Sequence, residues 1–454
     1  MRLTRHPGRI DIRNVSLLGG FCFFLSALEY LIPKPLPFIR LGLANIPLIL
    51  ALDIMPFSSF VLLGCLKITG QALISGTFFS YVFLFSLGGT GVSALFMYAL
   101  RRWPGKERIS FIGISTAGAL ASNGVQLVLA FFFVFGKSII YAAAPILAMG
   151  LVTGMLLGIG AEYFVRRSGW YARMEDPSAA GSGFTVGSHS TGSYAAGTDG
   201  IGADGIRAAQ KALPVKAHEG NSGNFSARFR KARESFCFKN FSSGALAAAG
   251  LCMMPALLFN PNTGARIVQF LFFWALAWLS GKKNKPVITV SVMLGIVLFN
   301  LLVPYGEVLF SAGPLKITSG ALQEGIRRAV TVEGLFMLSR CCVRSDLRLP
   351  GIFGEIVGES FRIFSRLAEE KKLFSRTNWV ERLDGLLVSY GEESFHQENF
   401  PQKSVPPESY PPGGGTAEAV FLLPGRIILL AGIILAWLPL VSALLQKFRV
   451  FPRL

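Results

Sequence analysis

The sequence predicts an all-α fold, a polytopic helical membrane protein, on three observations. The 454-residue chain is 52% hydrophobic and 15% charged, whereas soluble domains carry about 25% charged residues. Apolar runs recur near the length that crosses a hydrocarbon core, roughly 20 residues at 1.5 Å each. The basic residues behind the net charge of +18 sit between those runs, as in RRWPGKER at 101–108, RRSGWYAR at 166–173 and GKKNK at 281–285. Cytoplasmic loops of membrane proteins collect Lys and Arg in this way, and no aromatic-interleaved basic motif points to nucleic acid.

Six hydrophobic helices are expected first, near 15–32, 42–55, 57–75, 79–100, 109–135 and 140–165. The second, within LGLANIPLILALDIMP at 41–56, holds Asn45, Asp53 and two prolines. So short and interrupted a segment is tolerated in a bilayer only where protein covers it. Asn45 should point inward and Asp53 should sit near the cytoplasmic end. If Arg2, Arg5, Arg9 and Arg13 are cytoplasmic, 101–108 and 166–173 also fall inside, after four and six crossings. This places 1–167 as a six-helix unit of the cell (inner) membrane with its N-terminus in the cytoplasm. Its first apolar run leads into LEYLIPKPLP, not a small-residue cleavage site.

Residues 168–239, rich in Gly, Ser, Thr and Ala, read as a flexible cytoplasmic linker closed by RFRKAR at 228–233. A second membrane unit, 240–340, has spans expected near 241–259, 265–280 and 286–304, then a more polar helix near 318–340. In 341–400, Phe353, Ile356, Val357, Phe361 and Phe364 recur at helical steps. Such a stripe lies on a membrane surface or grips a partner protein. A Pro/Gly-rich linker at 401–420 precedes a last span at 421–446, for about eleven in all.

Polar residues inside the first unit are its chemical content. Glu29 ends the first helix, Lys67 and Gln71 share a face, and Asn123 and Gln126 share another. Ionisable groups at membrane depth are costly and face an interior, as functional groups or as helix–helix hydrogen-bonding groups. With Asn45, these residues are the candidates to line a cavity for a small, anionic solute. Gly150, Gly154 and Gly158 recur every four residues, a surface for close helix packing within the unit or against a partner. The six cysteines are scattered and read as small buried hydrophobes, and the four histidines lie outside the apolar runs, against a metal site in the membrane.

Enzyme signatures are missing. FGKSII at 135–140 contains Gly-Lys-Ser, but Phe131 stands where a P-loop needs its first glycine. No two aspartates are adjacent and no histidine lies with a membrane nucleophile, so the chain is expected to be no enzyme and to bind no cofactor. Any ATP must be used by a partner subunit.

At GLANIPLILAL, 42–52, the chain resembles the Gx transporter family, often labelled heptaprenyl diphosphate synthase component I. PFIRLGLANIP at 37–47, SYVFLFSLGGTGVSALFMYALRR at 80–102, FIGISTAGALASNGVQLVLAFF at 111–132 and PILAMGLVTGMLLGIGAEYF at 145–164 carry the likeness. Members are similar to substrate-capture (S) components of energy-coupling-factor (ECF) transporters, six-helix proteins that hold a small solute and topple in the membrane. The Ala-xxx-Ala pattern that many S components place on their first helix is absent from SLLGGFCFFLSALEY.

The second half, through FNPNTGARIVQFLFFWALAWLSGKK and PLKITSGALQEGIRRAVTVEGLFMLSR, looks like the transmembrane coupling (T) component of the same transporters. That resemblance implies cytoplasmic coupling helices whose Ala-Arg-Ser or Ala-Arg-Gly ends enter ATPase grooves. The counterparts here are SRL and SRT, making Arg366 and Arg376 the docking candidates.

The expectation is a fused S–T membrane subunit of an ECF-like importer, with membrane lipids, a small solute and ABC-type ATPase subunits as partners. Two alternatives stand beside it: a membrane accessory component of a soluble prenyl diphosphate synthase, as the family label implies, and a non-transporting scaffold.

Overall fold

Lipid offers backbone amides and carbonyls no partner, so the apolar runs fold as helices, which satisfy those groups internally. The computed structural model describes residues 12–31, 42–103, 109–175, 240–282, 286–312, 315–344, 351–369 and 417–449, with positions 381, 384–385 and 387–388. The first unit comprises α1 (Ile12–Leu31), α2 (Ile46–Ile54), α3 (Phe57–Ser75), α4 (Tyr81–Arg102), α5 (Phe111–Ala130) and α6 (Ile140–Arg167). A 3-10 turn, Leu43–Asn45, leads into α2, and a π-helical segment, Phe131–Phe135, extends α5 before a second 3-10 turn. Local chemistry marks the ends. The Ser110 hydroxyl accepts the Gly113 amide at 3.2 Å to start α5, and Gly76, at φ +64°, ends α3.

The short α2 is the centre of the unit. Leu48 through Leu52 are buried, and α2 packs on α1, α3, α4 and α6. Pro47 sits in its first turn, where the missing N–H removes no helical bond. Outward, Leu95 and Phe96 of α4 and Leu151, Val152 and Leu156 of α6 are exposed, a surface suited to lipid. Gly150, Gly154 and Gly158 face α5, on Asn123, Ala119 and Ile112 respectively, so the glycine stripe is internal packing.

Residues read as the start of the linker fold instead into α7 (Gly169–Glu175), with Trp170 and Tyr171 buried. Residues 176–239 lie outside the described residues. The second unit holds α8 (Ser243–Leu258), α9 (Thr263–Leu279), α10 (Pro286–Asn300), α11 (Ser319–Cys342) and α13 (Ala417–Arg449), with α12 (Gly351–Glu369) between the last two. An antiparallel hairpin, β1 (Val308–Ala312) and β2 (Leu315–Thr318), joins α10 to α11. The sequence predicts helices alone, and these two short strands correct that expectation here.

Among the described residues, four segments are long and apolar enough to cross a membrane: Ile12–Glu29, Phe57–Ser75, Tyr81–Arg102, and Phe111–Arg167, which holds α5 and α6 in succession. The other apolar helices are shorter, among them Leu43–Ile54, Ser243–Leu258, Thr263–Leu279, Pro286–Asn300 and Ile427–Ser442. The protein is membrane-embedded and helical. The described cysteines divide: Cys22, Cys341 and Cys342 are buried, while Cys65 and Cys252 are exposed, contrary to the expectation that all are buried; Cys237 lies outside the described residues.

α11 organises the second unit and receives the first. It runs antiparallel to α8, Gly334 packing on Leu257 and Cys342 on Gly250, and antiparallel to α10, with Gly325 on Asn300 and Ile296 clustered with Ala329 and Val332. Ser339 accepts the Phe79 amide at 3.1 Å and donates to the Gly76 carbonyl at 2.8 Å. Arg328 donates to the Phe131 and Phe132 carbonyls at 2.8 and 2.9 Å. The α3–α4 turn and the α5–α6 turn lie at the same end of the six-helix bundle. They meet α11 at points about 16 Å apart along its axis at 1.5 Å per residue. α11 therefore lies across the end of the bundle, not alongside its helices.

Candidate functional site

One polar cluster lies inside the first unit, built by α1, the α2 entry, α3 and α4. Gly42 stands at φ +77°, left-handed space that side chains avoid, and turns the chain so that its amide donates to the Glu29 carboxylate at 3.2 Å. Asn45 follows at the end of the 3-10 turn. Its side-chain carbonyl accepts a hydrogen bond from Lys67 Nζ, and Nζ also donates to Thr90 Oγ1 at 3.1 Å. Glu29 and Lys67 are 7% and 5% exposed. A buried ammonium is tolerable only with such partners, and these oxygens are ones that a solute's polar group can replace.

The structure thus brings Glu29, Asn45 and Lys67 of the expected set together and adds Thr90, whose position in LGGTGV gave no periodic signal. Gln71 lies one turn along α3, half-buried, its carbonyl accepting from Ser75 at 2.8 Å. Asn123 and Gln126 lie elsewhere. Asn123 donates to the Ile146 carbonyl of α6 at 2.9 Å, and Gln126 to Ser122 at 3.0 Å beside Gly89 of α4. Both amides pack helices together, because α5 turns that face toward its two neighbours.

At the opposite end of the bundle from the α11 contact, Asp53 closes α2 with a bidentate ion pair. Arg101 Nε and Nη2 donate to its two oxygens at 2.9 and 2.6 Å. The same guanidinium donates to the Ile109 carbonyl at 2.7 Å and lies over the Phe111 ring. Tyr171 of α7 adds its hydroxyl to Asp53 at 3.3 Å. Burial first, then the Asp53 carboxylate, push this phenol well above its ordinary range, so it remains a donor. Asp384, far along the chain, caps α7, accepting from the Gly169 and Trp170 amides at 3.0 Å each and from the Ser168 hydroxyl.

The amphipathic α12 is not free. Ile356, Val357, Phe361, Phe364 and Leu367 are buried, and the helix lies along α1 and touches α3. Ser360 Oγ donates to the Ser16 carbonyl at 3.0 Å, and the Phe23 and Phe361 rings meet at 4.7 Å, tilted by 41°. A Cβ on Gly20 would stand 2.7 Å from Ile363 and 2.9 Å from the Ser360 carbonyl oxygen. Small residues on α1 do exist for this contact, then, as Ser16, Gly19 and Gly20 in place of alanines. The stripe expected to grip a partner or the membrane surface grips α1. Arg366 is exposed near the end of α12; Arg376 lies outside the described residues.

No curated protein and no solved structure matches the chain. Residues 245–345 match a domain family of unknown function. Residues 18–164, the six-helix unit that carries the Lys67 cluster, match the family described as heptaprenyl diphosphate synthase component I.

Proposed function

We propose that the protein is the membrane subunit of an ECF-like importer, in which the first unit captures a small solute and the second couples it to separate ATPase subunits. The observation that carries this reading is the end-on docking of the six-helix bundle against α11. That contact joins the capture unit directly to the second unit, as transmission of an ATP-driven movement from coupling helices to a solute-binding unit requires. The contact of α12 with the small residues of α1 adds a direct mechanical path from a coupling helix to the solute-binding unit.

In this reading Lys67, Asn45, Thr90 and Glu29 hold the polar end of the solute. An anionic group takes the Lys67 ammonium from Asn45, freeing the 3-10 turn and α2 to shift. Arg366 and Arg376 dock the ATPases, which use the ATP; the chain binds no cofactor and catalyses no reaction. Lys67→Ala is expected to abolish solute uptake while leaving ATPase association intact. Uptake at the wild-type rate would remove Lys67 from the site.

The second reading is a membrane accessory component of a prenyl diphosphate synthase, favoured by the family match over 18–164. Mass spectrometry of proteins co-purifying from the native membrane in mild detergent separates the two. Stoichiometric ABC-type ATPases are the expected result. A soluble prenyl diphosphate synthase without ATPases would overturn the importer reading and establish the second.

A further inference from the structure

Away from the Lys67 cluster, a small cleft of about 140 Å³ opens between the π-helical end of α5, the start of α9 and the first half of α11. Its charged lining is Arg266, Arg327, Arg328 and Glu324, three cations and one anion. Glu324 is shared, reaching Arg327 Nη2 at 2.5 Å and Arg328 Nε at 2.7 Å. Arg266 is 9% exposed, yet its hydrogen bonds run to neutral oxygens: the Asn260 carbonyl at 2.5 Å, Thr331 Oγ1 at 2.6 Å and the Leu258 carbonyl at 3.0 Å. Arg327 engages Glu324 through Nη2 alone, leaving Nε and Nη1 without a hydrogen bond among the described residues.

The cleft carries an excess of two positive charges, with Arg266 and Arg328 largely buried and the Arg327 side chain 37% exposed at its mouth, so an entering anion offsets the lost hydration of the buried guanidinium groups. Planar guanidinium forks match tetrahedral oxyanions bidentately. The wall beside them is apolar, with the Phe132 ring 64% exposed at the side of the cleft. We propose that this cleft binds a phosphate group, held by Arg327 and Arg266 with Arg328 behind, and that Phe132 accommodates an attached hydrocarbon.

The position gives the ligand a consequence. Arg328 is also the residue that holds the Phe131 and Phe132 carbonyls, so a phosphate competing with Glu324 for Arg327 and Arg328 acts at the junction between the two units. The site stands whether the partners are ATPases or a synthase.

The test uses the full-length protein in mild detergent, with native mass spectrometry against phosphatidylglycerol, neutral-headgroup phosphatidylcholine and inorganic phosphate. Wild type is expected to prefer phosphatidylglycerol to phosphatidylcholine. Arg327→Gln should lower the affinity about tenfold, the factor carried by one charge-assisted hydrogen bond, and Glu324→Gln should raise it. Opposite effects from two neighbouring substitutions are a pattern that loss of folding does not produce. Binding of inorganic phosphate with the same dependence, and no preference for phosphatidylglycerol, supports the site and identifies a free anion as its occupant. Affinities for both probes unchanged in the two variants would overturn the proposal.

Discussion

The second half of the chain holds the two ends of the six-helix bundle by different chemistry. At the α11 end it supplies mainly donors to backbone carbonyls, Arg328 to Phe131 and Phe132, Asn300 to Val134 at 3.2 Å and Ser339 to Gly76, with Ser339 also accepting the Phe79 amide. At the Asp53 end it supplies an acceptor, the Asp384 carboxylate on the α7 amides. The π-helical geometry explains the first, since it leaves carbonyls off the regular ladder; the open amides of a helix start explain the second. The difference teaches that both ends of the bundle are gripped largely through backbone groups at turns and helix starts, with side-chain packing such as Phe23 on Phe361 added along α1.

Three substitutions sharpen or break this contrast. The largest effect is expected from Asp53→Ala, which leaves Arg101 buried without its ion-pair partner, at a cost of about 3–5 kcal/mol. Thermal unfolding in detergent measures it, and Asp53→Ala combined with Arg101→Leu should recover much of the loss. Asn300→Ala comes next. It removes the bond to Val134 and one to Ile296, worth about 1–3 kcal/mol with buried carbonyls left open. Cross-linking between cysteines placed at 135 and 299, where the Phe135 and Phe299 rings lie 4.7 Å apart, should fall. Smallest is Asp384→Ala, the loss of a helix cap at about 1 kcal/mol. Increased quenching of Trp170 emission by a water-soluble quencher reads it; unchanged quenching would show that α7 holds without the cap. If Asn300→Ala and Asp384→Ala loosened the same contacts, the two ends would not be separate attachments.

The long helices were legible because apolar runs of membrane length leave the backbone no alternative. Expected ends such as 57–75 for α3 coincide with the structure, and Asn45 does point inward to Lys67. Asp53, placed near a basic cluster by alternation alone, finds Arg101 from that cluster. What was illegible depends on distant sequence. The Asp384 cap joins residues over 200 positions apart, and nothing local marks a carboxylate as a cap for another segment. α7 was lost in a change of composition, although its Trp-Tyr pair was an available sign of burial. The hairpin announced itself only by Gly-Pro between two short apolar runs. Nothing local sets Arg266, Arg327 and Arg328 apart, because their convergence exists only once α9, α11 and the end of α5 meet.

Among the described residues, the two halves touch at Arg328, at Asn300, at Ser339, along α12 and at Asp384. These contacts hold the halves in register without calling on a covalent connection. A protease site placed within 176–239 should nick the chain without separating the fragments. By the same logic, the halves expressed as two polypeptides should find each other in one membrane and restore whatever the intact chain does.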